Sequence, residues 1–191
     1  MSGGAAVGGI GERLWRARHI RFLRKAGAGR IDHSGERLLD HLAATHDLLA
    51  SWGARPALRD AALFHSVYGT QFLADELLGP DRRDDVRARI GEEAEELAWL
   101  WHAVRRESLA ANLERDGGLS IECQDGTTVA ISRRQFEDLV NLWVADAVEQ
   151  LPRRDAESLE RQRGRLTPLL GVAMPAAESA ARELFARRAA A

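Results

Sequence analysis

The chain has 191 residues, with 27 basic (Lys and Arg) and 29 acidic (Asp and Glu) residues, and 45% of its residues are hydrophobic. This is enough apolar material for one sizeable core, and the near-neutral charge lacks the net basic face that sequence-independent nucleic-acid binding requires. We therefore expect a single globular domain over residues 10–191, a disordered Gly/Ala-rich tail over residues 1–9, and no nucleic-acid partner.

No run of apolar residues approaches the roughly 20 residues that span a bilayer, and the first residues lack the basic start and long apolar stretch of a secretion signal. Cys123 is the single cysteine, so no internal disulfide can form, which fits a reducing compartment. The sequence predicts a cytoplasmic protein without a membrane partner.

Apolar residues recur at helical spacing in the first half of the chain. They predict a helix from Ile10 to about Lys25, a second over residues 33–53 that ends at Gly53, and a third from Pro56 to before Gly69. A short helix over Gln71–Leu78 follows, and a charged turn over residues 79–85 opens a further helical stretch.

The second half is helical except for one change of period from about 3.6 to 2, which predicts a β-hairpin over about residues 119–131. A capping box at Ser132–Gln135 starts the helix after it. Before the hairpin, a long helix is predicted from Glu92 to about Arg115, with a break near Ser108. The capped helix is predicted to end at Pro152, and a solvated helix or loop follows over residues 153–163. The last predicted helix runs from Arg165 to Ala190 and is split near Pro168 and Pro175.

Three polar side chains fall on or beside the apolar faces of their predicted helices: His41, His65 and Asp146. A carboxylate on such a face needs a partner, because an ionised group buried alone costs several kcal/mol. The partner can be a metal ion, a protonated imidazole or an arginine, or the carboxyl can stay neutral through a shifted pKa.

The stretch LLDHLAATHDLLASWGARPALRDAALFHSVYG, together with the later Val144-Ala145-Asp146-Ala147, resembles the HD-domain superfamily. In that superfamily a histidine on one helix is followed by a His-Asp doublet at the end of the next, and a distant aspartate in an Ala-Asp context completes the site. The resemblance implies an all-α, HD-domain-like helical bundle with one small inserted β-hairpin, and a metal site at His41, His65 and Asp146.

The chain departs from that pattern at Ser66, which stands where the superfamily has the aspartate of the doublet. A serine hydroxyl is a weak, neutral ligand for divalent cations, and His46 and His102 do not supply the extra ligands of two-metal members. We therefore expect at most one divalent metal, Fe, Mn or Zn, in a site of two histidines and one carboxylate.

The motifs HSG, DHL and FHSxYGT also resemble an uncharacterised HD-like subfamily, in which Ser66 belongs to the pattern. This resemblance indicates pocket residues. The predicted catalytic residues are His65, Ser66 and Tyr68, and the predicted substrate-binding residues are His33, Arg37 and Thr70. His33 lies where a loop enters a helix, a position that favours an anion.

The leading functional hypothesis is an enzyme that acts on a small anionic metabolite through this metal, by hydrolysis or by oxidation of the non-haem-iron type. One alternative is a metal-free acid–base enzyme, an isomerase, cyclase or lyase, that uses His65 and Asp146. Another is a non-catalytic domain that binds a ligand or a partner protein. His41 and His65 can also be core histidines bonded to Asp146, Thr45 or backbone carbonyls, and the helices permit a homodimer.

Overall fold

The structure is a computed structural model that describes residues 9–33, 35–71, 73, 77–114 and 117–189. Its helices are α1 (Ile10–Ala26), α2 (Leu38–Ser51), α3 (Pro56–Phe64), α4 (Arg83–Ile90), α5 (Glu92–Ala103), α6 (Arg133–Gln150), α7 (Ala156–Leu166) and α8 (Pro175–Ala189). Short 3-10 segments cover Pro80–Arg82, Arg106–Glu114, Leu151–Arg153 and Thr167–Val172. None of the helices described is both long and apolar enough to cross a bilayer.

Within the described ranges, β structure is confined to two small antiparallel ribbons and two isolated bridges. Strands β3 (Ser120–Glu122) and β4 (Thr128–Ala130) form the hairpin predicted over residues 119–131. Strands β1 (Asp32–His33) and β2 (Glu36–Arg37) form a second ribbon, which the sequence did not predict because two residues per strand show no alternation. The predicted all-α fold with a small inserted hairpin is confirmed.

Several predicted boundaries differ from the structure. Helix α2 begins at Leu38 rather than at residue 33, because the ribbon occupies the residues before it. Helix α3 ends at Phe64, and residues 65–68 form a turn.

The predicted long helix stops at Ala103, because the backbone at Val104 is extended and bridges to Cys123 of the hairpin segment. The break comes earlier than expected, and a 3-10 segment from Arg106 to Glu114 follows.

The short helix predicted over Gln71–Leu78 is absent from the part of that segment that the structure describes. Thr70 and Leu73 form a β-bridge there, and Leu77 and Leu78 lie in a bend. Phe72 and residues 74–76 lie outside the described residues, as do residues 1–8 of the predicted tail and Ser34 of the HSG motif.

The buried apolar side chains form two clusters, and α2, α3 and α5 contribute to both. Trp101 and Trp143 belong to one cluster, and Phe64 and Tyr68 belong to the other. Since α2 packs against both α3 and α6, a polar side chain on the inner face of α2 meets residues from both of these helices. This arrangement positions the site described below.

Helix α6 is buried on every face along its middle, because each residue from 138 to 147 is buried. Its start is fixed by the predicted capping box: Ser132 Oγ accepts from the Gln135 backbone N–H at 3.2 Å, and the Gln135 side chain accepts from the Ser132 N–H at 2.8 Å. Asp146 lies near the end of this buried stretch and is 6% exposed. Its carboxylate must therefore find partners inside the protein.

Candidate metal centre

His41 lies in the second turn of α2 and is fully buried. The start of α2 is anchored by backbone hydrogen bonds, since the Leu38 and Leu39 N–H groups donate to the carbonyls of Ile31 and Ala28. The His41 Nδ1–H donates to Glu149 Oε2 at 2.5 Å. This bond leaves Nε2 of His41 facing the interior between α3 and α6.

His65 follows the last residue of α3 and is 1% exposed. Its Nδ1 lies 2.6 Å from the carbonyl oxygen of Ala62, which can only accept, so Nδ1 carries the proton. The opposite ring nitrogen, Nε2, lies 3.1 Å from Nε2 of His41. The Trp101 ring packs edge-on against the imidazole with the ring centroids 5.9 Å apart, which helps to hold its orientation.

Asp146 completes the group from α6. Its Oδ1 lies 3.3 Å from His41 Nε2 and 3.6 Å from His65 Nε2, and it accepts a hydrogen bond from Gln150 Nε2 at 2.7 Å. The three donor atoms lie within 4.8 Å of one another, so the group could hold a metal ion. The structure thus brings together the three residues that the sequence predicted as metal ligands.

The proton positions explain why this group needs a cation. Both histidines use Nδ1 as a donor, so a neutral His41 and a neutral His65 would present two Nε2 lone pairs to each other beside a carboxylate. Three such acceptors repel one another, and the Gln150 amide, which donates to Asp146 at 2.7 Å and lies 3.5 Å from His41 Nε2, relieves part of this repulsion. A proton or a metal ion among the three atoms would relieve the rest. Metal-binding histidines characteristically donate the other ring N–H to a carboxylate or a backbone carbonyl, as both histidines do here.

The electrostatics of the metal-free pair favour one shared proton. Burial lowers the pKa of His41, but the hydrogen bonds to Asp146 and Glu149 outweigh it and raise that pKa above its ordinary value. Burial and the neighbouring His41 charge lower the pKa of His65. Burial raises the pKa of Asp146, but the His41 hydrogen bond and the Arg106 charge outweigh it and hold that pKa below its usual range.

A cavity of about 270 Å³ adjoins the cluster, and His65 and Asp146 form part of its wall. Four arginines also line it: Arg106, Arg154, Arg161 and Arg165. Ser158, Arg161, Gln162 and Arg165 follow the i, i+3, i+4, i+7 spacing of one face of α7.

Arg106 is 4% exposed and lies over the Trp101 ring, with its guanidinium carbon 3.9 Å from the ring centroid. Four arginines against one lining carboxylate give the cavity wall a basic character, although Arg161 pairs with Glu157 at 2.5 Å and Arg165 pairs with Glu107 at 3.0 Å.

The predicted pocket residues divide into two sets. His33, Ser66 and Thr70 line the cavity. The His33 ring lies 4.7 Å from that of His41, and burial, followed by the His41 charge, lowers the pKa of His33 to about 4. Its Nε2 atom is buried, with no hydrogen-bond partner among the described residues.

Arg37 and Tyr68 lie elsewhere. Arg37 pairs with Asp32 at 2.5 Å across the β1–β2 ribbon and is not among the residues that line the cavity. Tyr68 is fully buried, and its hydroxyl donates to Glu95 Oε1 at 3.1 Å, so it faces a structural ion cluster instead. The geometry therefore gives no support to the predicted substrate-binding role of Arg37 or the predicted catalytic role of Tyr68.

His46 and His102, the other two histidines considered as ligands, have partners outside the cluster. His46 Nδ1 lies 2.9 Å from Asp47 Oδ1, and its ring stacks near Trp15 with centroids 6.2 Å apart. His102 Nδ1 contacts the Gly69 carbonyl at 3.2 Å. Neither belongs to the buried cluster that could hold a metal, among the residues described.

Sequence reasoning missed several residues of the site. Glu149 and Gln150 follow Asp146 at i+3 and i+4 on the same predicted helix, so the helical spacing alone could have pointed to them. Arg106 and the α7 arginines had no comparable signal, because only the tertiary packing brings them to the cavity.

Comparison with known proteins yields one finding. Residues 22–106 match the model of a family described as a domain of unknown function, DUF6817. The matched segment is less than half of the chain and includes His33, His41, His65 and Arg106, whereas Asp146 and α7 lie beyond it. No curated protein and no solved structure matches the chain.

Proposed function

We propose that the protein is a metal-dependent enzyme that acts on a small anionic metabolite, with one divalent ion held by His41, His65 and Asp146. The observation that carries this proposal is the pair of imidazoles whose Nδ1 protons are both committed to acceptors while both Nε2 atoms face Asp146. Two histidines and one carboxylate suit Fe, Mn or Zn. A bound divalent ion would act as a Lewis acid toward a substrate oxygen.

The order of these three residues along the chain is that of the HD-domain superfamily, which supports placing the protein near it. The chain differs from that superfamily at Ser66, which places a hydroxyl on the cavity wall where the superfamily has the aspartate of the doublet. The missing carboxylate favours a single metal ion.

The cavity supplies the recognition of the substrate. Arg106 and Arg154 line the same cavity as Asp146 and His33. Arg161 and Arg165 extend the basic wall along α7. Guanidinium groups bind carboxylates and phosphates through paired N–H donors, so we expect an anionic group of the substrate to lie along this wall.

The remaining polar wall atoms would orient the substrate. His33 is neutral near pH 7 because its pKa is lowered to about 4, so Nε2 can exchange a hydrogen bond with a bound molecule without adding charge. Gln162 Oε1 is also buried without a hydrogen-bond partner among the described residues, and it accepts. Ser66 and Thr70 add hydroxyl groups to the same wall.

Equilibrium dialysis against Zn²⁺, Mn²⁺ and anaerobic Fe²⁺ tests the metal site. We expect about one ion per chain for wild type, and loss of binding at micromolar concentration for His65→Ala and Asp146→Asn. His46→Ala is the matched control, because His46 is buried on the same helix as His41 but outside the cluster. A wild-type protein that binds none of the three ions contradicts the proposal.

Binding of small anions tests the basic wall. Calorimetry of the metal-loaded protein with phosphate, pyrophosphate and citrate should show binding that Arg154→Met weakens. Arg82→Met is the control, because Arg82 pairs with Asp85 on the surface away from the cavity. Assays of the same protein for release of phosphate from esters, and for oxygen consumption with the iron-loaded form, then separate hydrolysis from oxidation.

One observation favours a second function. His41 Nε2 and His65 Nε2 are at hydrogen-bonding distance, so a single proton satisfies the pair as well as a metal ion does. A metal-free enzyme would use His65 and Asp146 for general acid–base catalysis of an isomerisation, cyclisation or elimination. Turnover that persists after exhaustive treatment with a chelator selects this function.

A further inference from the structure

A second group of possible metal ligands, Glu36, His41 and Glu149, lies on the other side of the His41 ring. Arg153 already supplies the positive charge there, since its Nη2 contacts Glu36 Oε1 at 2.7 Å and Glu149 Oε1 at 2.6 Å. His41 Nδ1 carries a proton that it donates to Glu149. The two carboxylates of this group therefore already have cationic and hydrogen-bonding partners in Arg153 and His41, and we do not propose a second metal ion there.

We propose that Glu149 is the positioning residue of the metal centre, which fixes the proton of His41 on Nδ1 and aims Nε2 at His65 and Asp146. This inference rests on the proposed metal site for its effect on affinity, but the hydrogen bond that defines it exists without a metal. Glu149 lies three residues after Asp146, so one turn of α6 carries both the third ligand and the residue that orients the first.

The geometry gives this carboxylate a fixed place. The side chain of Glu149 is 7% exposed; its Oε2 accepts from His41 and its Oε1 accepts from Arg153. Glu149 also shares a side-chain hydrogen bond with Glu36. Arg153 is anchored in turn to Glu36 of β2. The ribbon before α2 and the end of α6 are thus tied to each other through the group that orients His41.

A carboxylate on the outer nitrogen of a ligating histidine raises the basicity of the inner nitrogen and restricts rotation of the ring. Loss of such a partner typically weakens metal binding by about 10–100-fold. Glutamine in its place retains an acceptor oxygen but loses the charge, so it should preserve the orientation and part of the affinity.

The test compares Glu149→Leu, Glu149→Asp and Glu149→Gln for Co²⁺ affinity, measured from the visible absorption of the bound ion. We expect Glu149→Leu to lose about 10–100-fold in affinity and to change the spectrum, and Glu149→Gln to lose less than about tenfold. Glu149→Asp keeps the charge but shortens the reach, and should fall between them. Glu137→Gln is the control, because Glu137 also pairs with an arginine four residues away but lies near the start of α6.

The second readout needs no metal. The proton NMR spectrum of metal-free, ¹⁵N-histidine-labelled protein should contain a far-downfield His41 Nδ1–H signal that moves upfield in Glu149→Gln and disappears in Glu149→Leu. If Glu149→Leu does not fold, Glu149→Asp takes its place: its His41 Nδ1–H signal must move from the wild-type position, and its Co²⁺ affinity must fall below that of the wild type. Wild-type Co²⁺ affinity and an unmoved signal in the folded variants would overturn the inference, whereas a wild type that shows the signal but binds no Co²⁺ overturns the metal proposal alone.

Discussion

His41 and His65 present their Nε2 atoms to each other across 3.1 Å while each donates its Nδ1 proton to a different acceptor. The two rings are nearly perpendicular, with an interplanar angle of 85°. Neither imidazole can relieve the contact by changing tautomer without losing its outer hydrogen bond. The pair is therefore preorganised to share one cation.

Removal of the proposed metal ion should destabilise the protein, because an ion that binds only the folded state stabilises it in proportion to the logarithm of its concentration over Kd. At an ion concentration 100 times Kd the gain is about 2.7 kcal/mol. For a chain of this size that corresponds to about 5–10 °C in Tm, measured by calorimetry with and without chelator. His65→Ala is the control: because it lacks one proposed ligand, we expect its Tm to be the same with and without the ion.

Tyr68→Phe should lower stability without affecting the metal centre. The phenolic hydroxyl donates to Glu95, which is fully buried and also accepts from Arg83 and Arg87. Loss of this one hydrogen bond costs about 1 kcal/mol in the free energy of unfolding. Denaturant unfolding measures the cost, and unchanged metal affinity separates Tyr68 from the site. A variant with wild-type stability but no metal or ligand binding would restore a functional role for this residue.

Arg55→Met should destabilise the fold, because it leaves the carboxylate of Asp138 buried without its cation. The Arg55 guanidinium contacts Asp138 at 2.5 Å and Glu93 at 2.7 Å, and Asp138 is 5% exposed. Breaking the pair leaves a buried carboxylate without its cation, and we expect a cost of about 2–3 kcal/mol after allowance for the partial exposure of Arg55. Thermal unfolding checks this value against Arg82→Met, which breaks an exposed pair and should change stability by less than about 0.5 kcal/mol.

Asp60→Asn should make the protein more stable at neutral pH and have no effect in acid. Burial raises the pKa of Asp60 from 3.8 to about 6, with smaller effects from Arg59 and Glu12. A carboxyl whose pKa is raised in the folded state contributes stability below its unfolded pKa and loses it as the pH rises through the folded value.

The wild type should therefore lose stability relative to Asp60→Asn between about pH 4 and pH 6, by about 1–2 kcal/mol. Urea unfolding of both proteins across this range measures the difference. A constant difference from pH 4 to pH 8 would show that Asp60 does not titrate in this window.

The sequence was informative where the signal was local. Periodicity and the Ser132–Gln135 capping box predicted α6 and its start, and the wheel position of Asp146 predicted that its carboxylate faces inward. The sequence predicts too late an end for α3, because no Gly or Pro lies between Phe64, where the helix ends, and Gly69.

The rest of the site depends on tertiary contacts. The sequence predicts that Arg37, with His33, meets the anionic end of the substrate, but the ribbon pairs Arg37 with Asp32. Arg106 reaches the cavity only because Val104 bridges to the hairpin segment and ends α5 before it. Neither event leaves a pattern in one sequence.

The wall that α7 contributes to the cavity has a consequence for how the protein can change. The three donor atoms come from α2, from the turn after α3 and from α6, whereas Arg161 and Arg165 come from a separate helix. Substitutions on the inward face of α7 can therefore change the shape and charge of the cavity while the three donor atoms are kept. The cavity wall and the cluster of donor atoms can diversify independently in descendants of such a chain.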